Sequence, residues 1–123
     1  MKQVDVLIVD DEQRYADMLA RRLTLRGLSC EVRYNGQTAI DTVSQGRFRV
    51  VLLDLRLPDL YGTDVLKQIK KHRPETVVII LTGHGTEKDR GTCMALGADA
   101  FMNKPLDINR LESIISPIKA SAE

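Results

Sequence analysis

The sequence predicts an α/β domain of three layers, a parallel five-stranded sheet between two layers of helices, on three observations. Short β-branched apolar runs alternate five times with stretches of helical periodicity. The strands read as largely unbroken apolar runs, as strands covered on both faces do. Each connection has room for little more than one helix, which suits parallel strands joined by right-handed crossovers.

On this reading the 123 residues form one domain, 1–123, in which 119–123 are a tail or the start of a linker. A chain of this size buries about two thirds of its unfolded surface and needs no covalent staples. Hydrophobic residues at 43% and charged residues at 28% are ordinary for a soluble globular protein, and a formal charge of +1 argues against a polyanion-binding design. No apolar run approaches the roughly 18 residues that span a bilayer, and the N-terminus lacks a secretory pattern, so no membrane partner and a cytoplasmic location are expected. Cys30 and Cys93 show neither metal-ligand spacing nor a disulfide framework and are read as thiols without chemistry.

The first strand lies within Met1 to Asp10 and runs into Asp10, Asp11 and Glu12. Tyr15, Met18, Leu19 and Leu23 then recur at helical spacing, and Gly27 suits a left-handed cap that closes this helix. Leu28 to Tyr34 is a weaker second strand, with Asn35-Gly36 as its turn. A second helix carries Ala39, Ile40 and Val43 inward and stops at Gly46. Val50 to Leu53 is a buried strand with Asp54 at its C-terminal end, followed by Pro58 and Gly62.

The third helix follows Gly62, buries Val65, Leu66 and Ile69, and ends ahead of Pro74. Its basic run, Lys67, Lys70, Lys71, His72 and Arg73, has no interleaved aromatics and reads as a solvated face, so direct nucleic-acid binding is not expected. Thr76 to Leu81 is the most β-branched run and ends in Thr82-Gly83. Thr86 to Asp89 resembles a capping box, opening a fourth helix that Gly97 closes. Gly91 costs that helix about 1 kcal/mol and its apolar residues, Cys93, Met94 and Leu96, crowd the last turn, making it the least firmly packed. Asp99 to Asn103 is a short last strand holding Phe101 and Met102 and leading into Lys104-Pro105, after which Asp107 caps a helix with the stripe Leu111, Ile114, Ile115 and Ile118. The strand order expected for such a chain is the flavodoxin-like 2-1-3-4-5.

In that order strands 1 and 3 are neighbours, so Asp10, Asp11 and Asp54 converge at one sheet edge, where Thr82 and Lys104 end strands 4 and 5. Singly, each has a plainer role: the aspartates as caps or turn residues, the threonine as a turn residue and the lysine as a solvated charge. Together, three carboxylates repel by roughly 1 to 4 kcal/mol per pair and call for a cation, and hard oxygen donors without His or Cys suit Mg²⁺, or Mn²⁺. An aspartate beside a divalent ion, a lysine and a threonine hydroxyl has the parts for phosphoryl transfer onto its own carboxylate. Phosphorylation adds about one negative charge next to the loosely packed fourth helix, as a switch requires.

Through Asp10-Asp11, Asp54 with Pro58 and Gly62, Thr82-Gly83 and Lys104-Pro105, the chain resembles the receiver domain of bacterial two-component response regulators over its whole length. That resemblance implies Asp54 as phosphoacceptor, Asp11 and Asp54 as direct Mg²⁺ ligands, Asp10 as a ligand through water and the backbone carbonyl of Arg56 as a further one. It makes Thr82 and Lys104 the grip on the phosphoryl group and Phe101 the aromatic that turns inward when Thr82 is drawn to it. Phe101 lacks the hydroxyl that many members carry there, and Arg56 and His84 hold the positions that tune phosphoryl lifetime. A cis Lys104-Pro105 bond is implied as well.

The implied donor is a phosphohistidine on a sensor histidine kinase or a phosphotransfer protein. The implied readers of the fourth helix, fifth strand and fifth helix are an output domain, a downstream protein or a phosphorylation-dependent dimer. Such a chain is no enzyme toward other molecules and catalyses only its own phosphorylation and dephosphorylation. An aspartyl-phosphate hydrolase would want a second acid where Arg56 stands, and a nucleotide or flavin binder would be repelled by Asp10, Asp11 and Glu12. A receiver-like fold that works by protein contacts alone is the remaining alternative.

Overall fold

The structure, a computed structural model, describes residues 3–122, with side chains described as far as Pro117, so Ile118 and the expected tail at 119–123 lie outside the described side chains. Strands β1 (Gln3–Val9), β2 (Cys30–Arg33), β3 (Arg47–Leu53), β4 (Val77–Thr82) and β5 (Ala100–Asn103) alternate with helices α1 (Gln13–Leu25), α2 (Gly36–Gln45), α3 (Gly62–His72), α4 (Glu87–Ala95) and α5 (Ile108–Ala122). The strands pair in parallel in the order β2-β1-β3-β4-β5, the flavodoxin-like arrangement that the sequence predicts.

Successive residues of a strand face opposite sides, and both sides are covered. Ile8, Leu52 and Ile79 pack with Leu19, Leu23, Leu111 and Ile115 of α1 and α5. Leu7, Leu53 and Ile80 pack with Val43, Leu66 and Ile69 of α2 and α3. These large side chains are almost fully buried, which pins the register of the central strands. Backbone hydrogen bonds then carry the ladder one residue past β1, β3 and β5: Asp10 N donates to Arg33 O (3.1 Å), Asp54 N to Val9 O (3.0 Å) and Lys104 N to Thr82 O (2.9 Å). The polar residues that follow the apolar runs are thereby held in place by the sheet itself.

Several elements differ from expectation. Met18 is 44% exposed, and Ala16 joins Leu19 and Leu23 in the buried stripe of α1. A helix turns about 100° per residue, so Met18, adjacent to Leu19, falls beside the stripe. Asn35-Gly36 is no separate turn: Asn35 caps α2, its Oδ1 accepting from Thr38 N at 2.9 Å, and Gly36 is already helical. A Cβ on Gly36 would lie 2.9 Å from Val65 Cγ2, so α2 begins in contact with α3. In α4 the capping box is present, and among the described residues Cys93 is its one buried residue while Met94 is exposed and Leu96, its C-cap, packs partly against the core, in line with a weakly packed helix.

The basic run of α3 is partly structural. Lys70 Nζ donates to Thr76 O (2.7 Å) and pairs with Asp99 (2.9 Å), and the Arg73 guanidinium donates to Val43 O and Gly46 O at the end of α2. Gly27 and Gly97 close α1 and α4 at φ +88° and +103°, as left-handed caps do. The Lys104-Pro105 bond is cis. Among the described residues no helix is long and apolar enough to cross a membrane.

Candidate functional site

At the C-terminal edge of the sheet the Lys104 ammonium lies among three carboxylates. It reaches Asp10 Oδ2 at 2.7 Å, Glu12 Oε1 at 2.7 Å and Asp54 Oδ2 at 3.0 Å. Oxygens of these acids come within 4.8 Å of one another. The Tyr15 ring centroid stands 4.9 Å from Nζ, and the Tyr15 hydroxyl accepts from Leu106 N at 3.1 Å, which ties the ring to the segment just past Pro105. The side chains of Asp10, Asp54 and Lys104 are 4%, 7% and 11% exposed, whereas that of Glu12 is 63% exposed.

Burial pushes the Asp10 carboxyl above its ordinary pKa, partly offset by hydrogen bonds from Lys104 and from the Glu12 amide, with Asp54 adding to the rise. Burial also opposes the charge on Lys104, but its hydrogen bonds to Asp10, Glu12 and Asp54 outweigh that and hold the ammonium pKa above the usual value. Three carboxylates against one ammonium leave a formal charge of about −2 at neutral pH. That is the charge one divalent cation offsets, and every side-chain donor is a hard oxygen, so the residues present fit Mg²⁺ or Mn²⁺.

Of the residues singled out in the sequence, Asp10, Asp54 and Lys104 meet directly, and Thr82 ends β4 beside them, bonded through its carbonyl to Lys104 N. Asp11 is exposed and outside the tight carboxylate group, in which Glu12 is the third member among the described residues. The cause is local. Asp10 Oδ1 accepts from Glu12 N at 2.9 Å, turning the chain so that Asp11 sits on the outer corner while the longer Glu12 side chain reaches back to Lys104.

The loop from Asp54 to Gly62 folds back on itself. Gly62 N donates to Leu55 O at 2.8 Å, Arg56 bridges Tyr61, and a Cβ on Gly62 would stand 2.5 Å from Leu55 Cα and 2.6 Å from Asp54 O. Only glycine tolerates that approach. Asp59 anchors the loop from outside, accepting from Gly36 N (2.7 Å) and Gln37 N (2.9 Å) at the start of α2, and these bonds hold its carboxyl below the usual range.

Arg56, Thr82, His84 and Asp89 line a cleft of about 250 Å³ with Gly62 and Thr63. Asp89 is kept below its ordinary pKa by hydrogen bonds from Thr86 in the capping box, helped by the nearby charge of Arg56. A larger hollow of about 500 Å³ beside Leu57 to Tyr61 presents Asp59 and Asp64 and no basic group, and so does not suit a phosphoryl anion. Phe101 is half-buried against Gly85, where a Cβ would stand 2.5 Å from its ring and 2.8 Å from the Thr82 methyl. Glu12, Tyr15, Asp59 and Gly85 carried no site assignment in the sequence. Glu12 had a signal in its place beside Asp10-Asp11, while Tyr15 had only that of a helix stripe.

The profile of the family described as "Response regulator receiver domain" matches residues 6–116. Among curated relatives, the uncharacterized transcriptional regulatory protein YkoG of Bacillus subtilis is 34% identical over 121 residues, covering 98% of this chain and 52% of that protein. The chain thus spans about half the length of this relative. Among solved structures, a CheY-like response regulator receiver domain protein from Methanospirillum hungatei superposes with a TM-score of 0.88 at 28% identity, covering 97% of this chain and 96% of that one. The BeF3-activated DrrB receiver domain gives a TM-score of 0.83 at 25% identity, with 97% and 99% covered.

Proposed function

The chain belongs to the response regulator receiver domain family, and from that premise we propose that it is a phosphoaccepting signalling switch whose acceptor is Asp54. The observation that carries this reading is the Lys104 ammonium, 3.0 Å from Asp54 and 2.7 Å from Asp10 on a sheet edge left with excess negative charge. An Asp54 oxygen attacks the phosphorus of a phosphohistidine on a sensor histidine kinase or phosphotransfer protein. The O–P bond forms as the N–P bond breaks, and the imidazole, already protonated on its other ring nitrogen, leaves neutral with the electron pair of the N–P bond. Lys104 and the Thr82 hydroxyl grip the phosphoryl oxygens, and Arg56 and His84, on the cleft wall, govern how water reaches them.

Asp10, Asp11, Asp54 and the Arg56 carbonyl are the residues assigned to hold Mg²⁺, or Mn²⁺. When bound, the ion supplies positive charge against the phosphoryl oxygens. The activity is confined to the chain's own phosphorylation and dephosphorylation. Phosphorylation adds about one negative charge and three acceptor oxygens at Asp54. Thr82 is drawn toward them, Phe101 turns inward into the space that Thr82 leaves, and α4, held by little burial, shifts with β5 and α5. That face addresses an output domain or a downstream protein in the cytoplasm, or a second copy of the chain. Residues 1–123 serve as the receiver domain.

Intact-mass measurement after incubation with Mg²⁺ and acetyl phosphate tests the proposal. The wild-type chain is expected to gain one phosphoryl group and Asp54→Ala none. A wild type that gains nothing, or a variant that gains as much, overturns it.

A further inference from the structure

A lysine ammonium has three N–H donors, and all three of Lys104 are engaged, by Asp10 at 2.7 Å, Glu12 at 2.7 Å and Asp54 at 3.0 Å, while the Tyr15 ring stands 4.9 Å from the nitrogen. No donor is left for an arriving phosphoryl oxygen while Asp54 is still a free carboxylate. One bond must yield. Asp10 and Asp54, 4% and 7% exposed, can be released only where a bound cation replaces the ammonium, whereas Glu12, 63% exposed, passes its oxygens to water with or without one.

Glu12 is also the N-cap residue of α1, yet its side chain makes no capping bond. An Asp at that position would turn its carboxylate onto the helix amides. The additional methylene of Glu carries the charge past them to Lys104.

We propose that Glu12 is a placeholder on Lys104: it occupies the N–H that a phosphoryl oxygen later takes, and so sets how readily the phosphoryl-bound state forms. Glu12 is a positioning residue, acting through Lys104. The inference rests on the receiver reading given above.

Two variants separate reach from charge. Glu12→Gln keeps the length and removes the charge, and Glu12→Asp keeps the charge and removes the reach. Neither deletes a side-chain cap, and each is checked for native amide dispersion by NMR. Beryllofluoride, a phosphoryl mimic, is titrated at saturating Mg²⁺ into the full chain and followed by amide shifts, and Mg²⁺ alone is titrated separately. Both variants are expected to bind beryllofluoride roughly two- to fivefold more tightly than wild type, the size of one exposed ion pair.

A Glu12→Asp variant that matches wild type would mean that only charge matters, and the placeholder is refuted. A tenfold loss of Mg²⁺ affinity in both variants, with beryllofluoride binding at saturating Mg²⁺ unchanged, would make Glu12 a metal ligand instead and refute it equally. A wild type that binds no beryllofluoride would bring down the receiver reading and this one together.

Discussion

Lys104 carries more of this site than any other side chain. It cancels part of the repulsion between Asp10 and Asp54, which burial would otherwise make costly, and it stands over the Tyr15 ring. Lys104→Met keeps the stem and removes the charge. In EDTA the variant is expected to lose about 3 kcal/mol of stability in urea unfolding, because two buried carboxylates face each other unpaired. Added Mg²⁺ should stabilise it more than it stabilises wild type. Equal stability of variant and wild type in EDTA would show that the ammonium is not what holds the carboxylates together. Residue by residue, the sequence was informative where polar groups end an apolar run, directly at Asp10, Asp54 and Thr82 and one residue on, after Asn103, at Lys104. It was silent on Tyr15, whose place in the α1 stripe says nothing of the ammonium beyond it.

Between elements, the tie that stands out is Asp59, which joins the loop after β3 to the first amides of α2. A carboxylate there also meets the positive end of the helix dipole. Its folded pKa lies below the ordinary 3.8, so the unfolded chain takes up the proton first. The stabilisation is therefore present above that ordinary value and is lost as pH falls through the lower folded one. Asp59→Asn should be less stable than wild type at neutral pH, and the gap should close in acid. A gap that stays constant from neutral pH down to acid unfolding would mean that the charge is irrelevant. Helix and strand identities were legible because periodicity is a short-range property. The start of α2 was misread because Asn-Gly serves a tight turn and an N-cap equally well, and the close packing of Gly36 on Val65 belongs to another part of the chain.

Taken whole, the molecule is unevenly anchored. The α2–α3 side is held by Asp59, Arg73 and a buried stripe on each helix, whereas α4 buries Cys93 alone among the described residues. In hydrogen exchange α4 should therefore be less protected than α3 in the resting chain, and beryllofluoride should alter protection in α4 and β5 more than in α2. Changes spread evenly over all five helices would contradict an output face at α4–β5–α5. The sequence by itself determined the alternating strands and helices and the polar residues that end the strands, Asp10, Asp54, Thr82 and Lys104, because apolar runs and the residues that follow them are read locally. The strand order, by contrast, was expected from the fold class and set by the tertiary pairing. Only the tertiary structure decided that Glu12 rather than Asp11 stands third beside Lys104. Neighbouring residues in a turn point in different directions, and which of them finds a partner depends on a lysine 92 residues further along the chain.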